Sequence, residues 1–283
     1  MSNKKQLILK QNAIISAGVV EKPSDIAIAV ASERIAQSFN AKEHDMVNAL
    51  LYILQDIASF NDKNFGLFNF EIYTTVSICQ EKLCKFCKIS PSAAKEIVAT
   101  IDGKNISFLE QTLLNVRNSA YILKNVTIPK FNESDNAIYE NGQIVTEKVK
   151  SVGLGIISRY TIKQDDIDAR KNLITITFDK LFLAMATKQF SLSFGNFSKL
   201  DKSISDNIKN KNAKRLYEYL QSKKTYRDID TTLDVLRLLF GTVPTTEGYK
   251  IIRIIENAQK ALCKVMPFSF DYHKTDKKIT FHI

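Results

Sequence analysis

Tryptophan is absent from this 283-residue chain, histidine occurs three times and cysteine four times. Each scarcity excludes something. His44, His273 and His282 are not paired as a metal-dependent rolling-circle nuclease requires. The nine glycines never form Gly-x4-Gly-Lys-Ser/Thr, so a phosphate-cradling ATPase loop is not expected. Gly241-Thr-Val-Pro-Thr-Thr-Glu-Gly248 has the wrong spacing and lacks the Lys-Ser/Thr ending, and Gly153-Leu-Gly155 lacks a third glycine. No run of about 18 apolar residues occurs, so no transmembrane span is expected. The apolar patch within Met1–Lys10 is too short for a signal-peptide core, which makes the cytoplasm the expected compartment.

The cysteines carry one suggestive spacing. Cys79-x4-Cys84-x2-Cys87 matches a plant-type iron–sulfur signature, but the segment Ile78–Ile89 has a helical pattern with Leu83, Phe86 and Cys87 inward. It also lacks the glycine such loops need. Buried reduced thiols are the expectation, with no disulfide, no metal and no cofactor. Asp165, Asp166 and Asp168 form an acidic cluster of the kind that holds Mg²⁺ in a nuclease; flanked by Lys163, Arg170 and Lys171, they are better explained as a solvated turn. None of the ten tyrosines has the basic surroundings of a recombinase nucleophile. A protein without catalytic activity is expected.

Positive charge is what the chain has in excess: a net +10 and a pI near 9.3. That balance favours an anionic partner such as nucleic acid or a membrane surface. With 45% hydrophobic and 25% charged residues, a buried core is expected, in one large domain or two compact ones.

The segment from Asn212 to the C-terminus organises the rest. It predicts a helix from Asn212 to about Lys223, a second from about Thr231 to Phe240 closed by Gly241, and a turn around Pro244. A long helix over about Thr246–Lys264 follows, then strands at Phe268–Tyr272 and Lys278–Ile283. This is the element order of a winged helix. In the long helix, Ile251, Ile252, Ile254, Ile255, Ala258 and Leu262 recur at helical spacing and define a buried stripe. Lys250, Arg253, Asn257, Lys260 and Lys264 fall on the opposite face, with Glu256 at its flank. A solvated amphipathic helix explains such a face equally well. The hairpin carrying Lys274, Lys277 and Lys278 favours DNA, because a basic wing tip suits the sugar-phosphate backbone while Arg, Lys and Asn suit base edges in the major groove.

Upstream, residues 1–44 form an arm with a helical pattern over Ser24–Phe39. Helices are predicted at about Asp45–Phe60, across the cysteines, at Ser92–Ile101 (ended by Asp102-Gly103) and from Ser107 to about Ser119, with Glu110 completing a capping box. Phe68–Val76 reads as a strand, as do Tyr121–Ile128, Ala137–Tyr139, Ile144–Val149, Gly155–Ile162 and Leu173–Phe178, with Asn141-Gly142 as a hairpin turn. Phe108, Leu109, Leu113 and Val116 are expected in the core; Gln111, Asn115, Arg117 and Asn118 are expected largely outside, with Gln111, Asn115 and Asn118 as candidate base readers. Lys148, Lys150, Arg159, Lys163, Arg170 and Lys171 give this half a basic edge. Both halves run helices, then a reader helix, then hairpins, and close on similar strands, Leu173-Ile-Thr-Ile-Thr-Phe178 and Lys278-Ile-Thr-Phe-His-Ile283. The expected fold is α+β: two tandem winged-helix domains, 45–180 and 181–283, behind an N-terminal arm, with a helical link at Leu181–Thr187 and an aromatic run of Phe190, Phe194 and Phe197.

Asn212-Ala-Lys-Arg-Leu-Tyr-Glu-Tyr-Leu220 resembles the S-x-Y-A-x-R-L-Y-E-L-L helix of the iteron-binding plasmid replication initiator family, where it opens the second winged helix. Leu233-Asp-Val-Leu-Arg-Leu-Leu-Phe-Gly241, Tyr249 and the basic helix follow in the family's order; Phe178-Asp-Lys-Leu-Phe-Leu183 is similar to its domain junction and Asn48-Ala-Leu-Leu51 to its early helix. The resemblance spans roughly residues 45–283. Asn212 and Ala213 depart from the usual lead, and Pro91–Lys104 looks like an added helix. The resemblance implies binding of double-stranded DNA at repeated origin sites (iterons), opening of adjacent DNA, recruitment of host replication proteins (helicase and initiator), homodimerisation and repression of its own gene. Arg215, Leu216 and Tyr217 are expected to be structural within that helix. A winged-helix transcription repressor is the alternative; a nuclease using the Asp165–Asp168 cluster and a scaffold that binds no DNA are others.

Overall fold

The structure, a computed structural model, describes residues 7–11, 18–21, 40–60, 75–101, 103–134, 137–141, 143–186, 197–223, 226–243 and 245–283. The expected helix at Ser24–Phe39, the strand before Thr75, and Asp102, Gly142, Thr187, Phe190, Phe194 and Pro244 lie outside them.

The fold is mixed α+β. Two strands, β1 (Leu7–Gln11) and β2 (Gly18–Glu21), come from the segment expected to be an arm. Helix α1 (Ala41–Phe60) begins four residues earlier than Asp45, because Asn40 caps the amides of Lys42 and Glu43 at 2.9 Å and Glu43 returns a bond to the Asn40 amide. Next come β3 (Thr75–Cys79), α2 (Gln80–Phe86) and the short α3 (Pro91–Lys95), which is capped by Ser90.

The helix expected at Ser92–Ile101 is not formed beyond Lys95. Instead β4 (Ile97–Ile101) pairs antiparallel with β5 (Lys104–Ser107) through Gly103, whose φ of +73° suits a hairpin turn. The cause is local: Ile97, Val98, Thr100 and Ile101 are β-branched and favour an extended chain. Helix α4 (Phe108–Arg117) then starts at the predicted capping box, with Ser107 and Glu110 bonded reciprocally. Long strands β6 (Ser119–Pro129) and β9 (Thr146–Gly155) flank the small hairpin of β7 (Tyr139–Glu140) and β8 (Gln143–Ile144), where Asn141 has φ +50°. This half ends with β10 (Ile157–Lys163), β11 (Leu173–Phe178) and α5 (Lys180–Ala186).

The second half contains β12 (Phe197–Asp201), α6 (Lys202–Asn207), α7 (Lys211–Ser222), β13 (Asp228–Thr232), α8 (Leu233–Phe240), α9 (Gly248–Leu262), β14 (Ser269–His273) and β15 (Lys278–His282). Strand β13 was not anticipated. Thr231 lies in it rather than opening α8, which is capped by Thr232 and closed by Gly241 in the left-handed region.

Two three-stranded sheets show the internal repeat. The first has the order β10-β11-β3 and the second β14-β15-β13, all antiparallel. In the first, β3, which follows α1, pairs with β11; in the second, β13, which follows α7, pairs with the last strand, β15. Two further pairings tie the arm in, β1 to β12 and β2 to β6. One hydrophobic cluster runs through both halves, from Leu50, Leu109, Leu113 and Ile176 to Leu216, Leu236, Ile255 and Phe281. Among the described residues no helix is long and apolar enough to cross a membrane.

Candidate nucleic-acid interface

Helix α9 is amphipathic in the way its sequence requires. Ile251, Ile255, Ala258 and Leu262 are fully buried, while Ile252 and Ile254 are half-buried at the edges of the stripe. On the other side Lys250, Arg253, Asn257 and Lys260 are exposed and share the outer face, whereas Lys264, expected on the same helix, is exposed two residues beyond its end at Leu262. Tyr249, at the first turn, is 64% exposed. Its position one step from Lys250 in the sequence is the signal that points to it. Glu247 precedes the helix, and its carboxylate lies 3.3 Å from the Lys250 ammonium. The Tyr249 hydroxyl and Lys250 hold that carboxyl below the usual range. An exposed pair of this kind adds little to stability, so a phosphate can replace it.

The β14–β15 hairpin is set against the start of this helix. A Cβ at Gly248 would meet the Tyr272 hydroxyl of β14 at 3.2 Å and Leu233 Cδ1 at 3.1 Å, so glycine permits that close approach. Gln259 of α9 donates to the Phe268 carbonyl at 2.7 Å, fixing the chain as it enters β14. At the hairpin's end Lys277 adopts φ +51° and its carbonyl accepts from the Leu233 amide at 3.2 Å. Lys274, Lys277 and Lys278 are exposed there. Arg237 completes the frame by donating to the Thr246 carbonyl at 2.8 Å and pairing with Asp234. Arg215, Leu216 and Tyr217 are buried, and Arg215 Nε donates to the Leu239 carbonyl, so these three residues do face inward.

The first half differs. Leu109, Leu113 and Val116 of α4 are buried, but Gln111, Asn115 and Asn118 are half-buried rather than largely outside. Gln111 donates to Asn115 at 2.7 Å, and Asn115 donates to Glu43 of α1 at 2.6 Å. Packing of α4 against α1 turns these amides inward, a contact that the helical period of α4 alone does not reveal. Arg117 stays exposed. The cations Lys148, Lys150, Arg159, Lys163, Arg170 and Lys171 are exposed, on β9, on β10 and in the turn before β11.

Asp165 and Asp168 are tied up within that turn. The Asp165 carboxylate accepts the amides of Ile167 and Asp168, and Asp168 is gripped by the Arg170 guanidinium, which holds its carboxyl down at about 2. Cys79 and Cys263 are exposed, and Cys84 and Cys87 are buried, with the Cys87 thiol 3.5 Å from Met46 Sδ. Among the described residues no group of three or more His, Cys, Asp or Glu side chains is placed to hold a metal ion.

No family model matches the sequence, and no curated protein matches it. Among solved structures, the chain is similar to the Pi initiator protein, crystallised in complex with iteron DNA. Identity is 13% and the TM-score 0.51, with 99% of this chain and 97% of that chain covered. The chain shares its fold with the Pi initiator protein. Because the match runs the length of both chains, it takes in both halves and the strands that join them. Domains 2 and 3 of RctB show a fainter likeness, at 9% identity and a TM-score of 0.41 over 86% of this chain and 81% of that one.

Proposed function

We propose that this protein is a plasmid replication initiator that binds directly repeated origin DNA through two winged helices and has no catalytic activity. The observation that carries the proposal is the outer face of α9, where Lys250, Arg253, Asn257 and Lys260 stand exposed beside a lysine-tipped hairpin, with Lys264 exposed just past the helix end. A helix of about 15 residues with such a face fits the major groove, and an adjacent hairpin reaches the flanking backbone. Arg253 and Asn257 are assigned to bases; Lys250, Lys260, Lys264, Lys274, Lys277 and Lys278 are assigned to phosphates. In the first half, Gln111, Asn115 and Asn118 of α4 were the sequence's candidates. Since Asn115 is engaged by Glu43, we assign most of that half's grip to the exposed cations of β9 and β10.

A three-stranded sheet of the same strand order in each half, reached in the first half after additional strands, supports reading 45–180 and 181–283 as winged helices. The Pi initiator's complex with iteron DNA supports the choice of partner. Opening of neighbouring DNA, recruitment of a host helicase and initiator, homodimerisation, repression of its own gene and a cytoplasmic location complete the proposal on the strength of the sequence resemblance.

Footprinting of the full chain on DNA flanking its own gene tests this directly. Protection of directly repeated sites is expected. Protection of a single operator only would leave a repressor, and no salt-dependent binding to any duplex would end the DNA reading.

A further inference from the structure

Helix α1 crosses α7 with its most polar turn facing inward. His44, Asp45 and Asn48 of α1, and Lys214 and Glu218 of α7, are all at most 2% exposed. Glu218 Oε1 accepts from Asn48 Nδ2 at 3.0 Å and lies 2.8 Å from His44 Nε2. Lys214 Nζ donates to Asp45 Oδ1, and Lys42 approaches the same carboxylate to 3.8 Å from the solvent side. From α6, the Ser205 hydroxyl lies 3.4 Å from Asn48 Nδ2, and Asp206 is close enough to act on the charge of Asp45. Burial pushes the Asp45 carboxyl up to about 6 even though Lys214 opposes the shift.

As adhesive, this cluster is a poor choice. Withdrawing such groups from water is costly, and an apolar set of equal volume often holds as well or better. Directional bonds do supply a single register. Sliding α1 by one turn, about 5.4 Å, would strand two carboxylates and an ammonium in the interior. The crossing also sits midway along a chain of contacts between the two candidate reader helices. Asn115 of α4 is bonded to Glu43 of α1 at one end, and α7 packs with α9 in the common core at the other.

We infer that His44, Asp45, Asn48, Lys214 and Glu218 are positioning residues that fix α4 and α9 relative to each other and so set the spacing of the two half-sites accepted within one DNA repeat. This rests on the DNA-binding reading above. It assigns those residues no contact with DNA.

Two measurements on the full chain test it. Spin labels on the exposed native Cys79 and Cys263, one in each half, report the inter-half distance without DNA. The wild type is expected to give one narrow distance. Asp45→Leu with Lys214→Met, which keeps the volume and removes the ions, is expected to at least double its width, and the shape-conserving Glu218→Gln to broaden it less. The second measurement is affinity for the duplex enriched from a random library, with its half-sites moved apart by one and two base pairs. Each added pair rotates the outer half-site by about 34°. The wild type should lose about tenfold per step, while the double variant should lose less than about threefold and keep its affinity at the original spacing. A narrow distance and an unchanged spacing penalty in variants with wild-type circular dichroism would overturn the positioning role while leaving DNA binding intact. Failure of the wild type to bind any duplex would overturn the DNA reading and the spacing claim together.

Discussion

The two halves share the strand order of one three-stranded sheet and differ in what they show to solvent. In the second, α9 presents three cations and an amide outward beside a basic hairpin. In the first, the equivalent helix α4 spends its amides on α1, and the positive charge sits on strands and a turn. The sheets differ in the same sense. Where β3 meets β11, hydroxyls pair, Ser77 with Thr175 at 2.9 Å and Thr75 with Thr177 at 3.3 Å. On the second sheet His282 bridges Asp228 and Asp271, at 2.8 and 3.1 Å. One core therefore supports two different surfaces, and under the proposed function the first would grip backbone and the second read bases.

Substitutions can break this contrast. The largest effect is expected at Arg253→Ala, which should cost about 1–3 kcal/mol on the preferred duplex, measured by fluorescence anisotropy, with an unchanged melting temperature. Asn115→Ala should do the reverse. Leaving Glu43 short of a partner is expected to cost about 1–2 kcal/mol of stability in urea titration, with DNA affinity held within about twofold. An equal loss of sequence discrimination in both variants would erase the distinction between the halves.

Smaller effects sharpen it. Lys277→Ala and Lys163→Ala should each weaken binding to every sequence alike and lower the slope of log affinity against log salt by about 1. The smallest effect concerns pH. Hydrogen bonding to Asp228 and then Asp271 raises the His282 pKa above 6.5. Its contribution to stability is therefore fully present below about pH 6.5 and is lost as pH rises through the raised folded value. The melting temperature should fall slightly between about pH 6 and pH 8, and His282→Asn should flatten that fall, since the hydroxyl pairs of the first sheet do not titrate in this range.

Local signals explain which elements were legible in the sequence. The box formed by Ser107 and Glu110, the stop at Gly241 and the isoleucine stripe of α9 are all short-range patterns, and each appears where expected. The misses at 97–101 and 228–232 were legible too. Ile97, Val98, Thr100 and Ile101 are β-branched, and Asp228–Thr232 alternates exposed and buried with Ile229 and Thr231 inside. Helical neighbours on either side masked both. The polar crossing of α1 and α7 was not legible by any local rule, because His44 and Glu218 stand 174 positions apart and each resembles an ordinary surface residue in its own helix. The inward turn of Asn115 was hidden for the same reason: its partner Glu43 lies 72 positions away.

The account stands on α9 reading base edges. Selection from a random duplex library, run in parallel with the wild type and Arg253→Ala, tests this most directly. The prediction is that the wild type enriches a directly repeated motif and that the variant loses preference at one guanine while keeping the rest. Identical motifs from the two proteins, or no enrichment by the wild type, would contradict it.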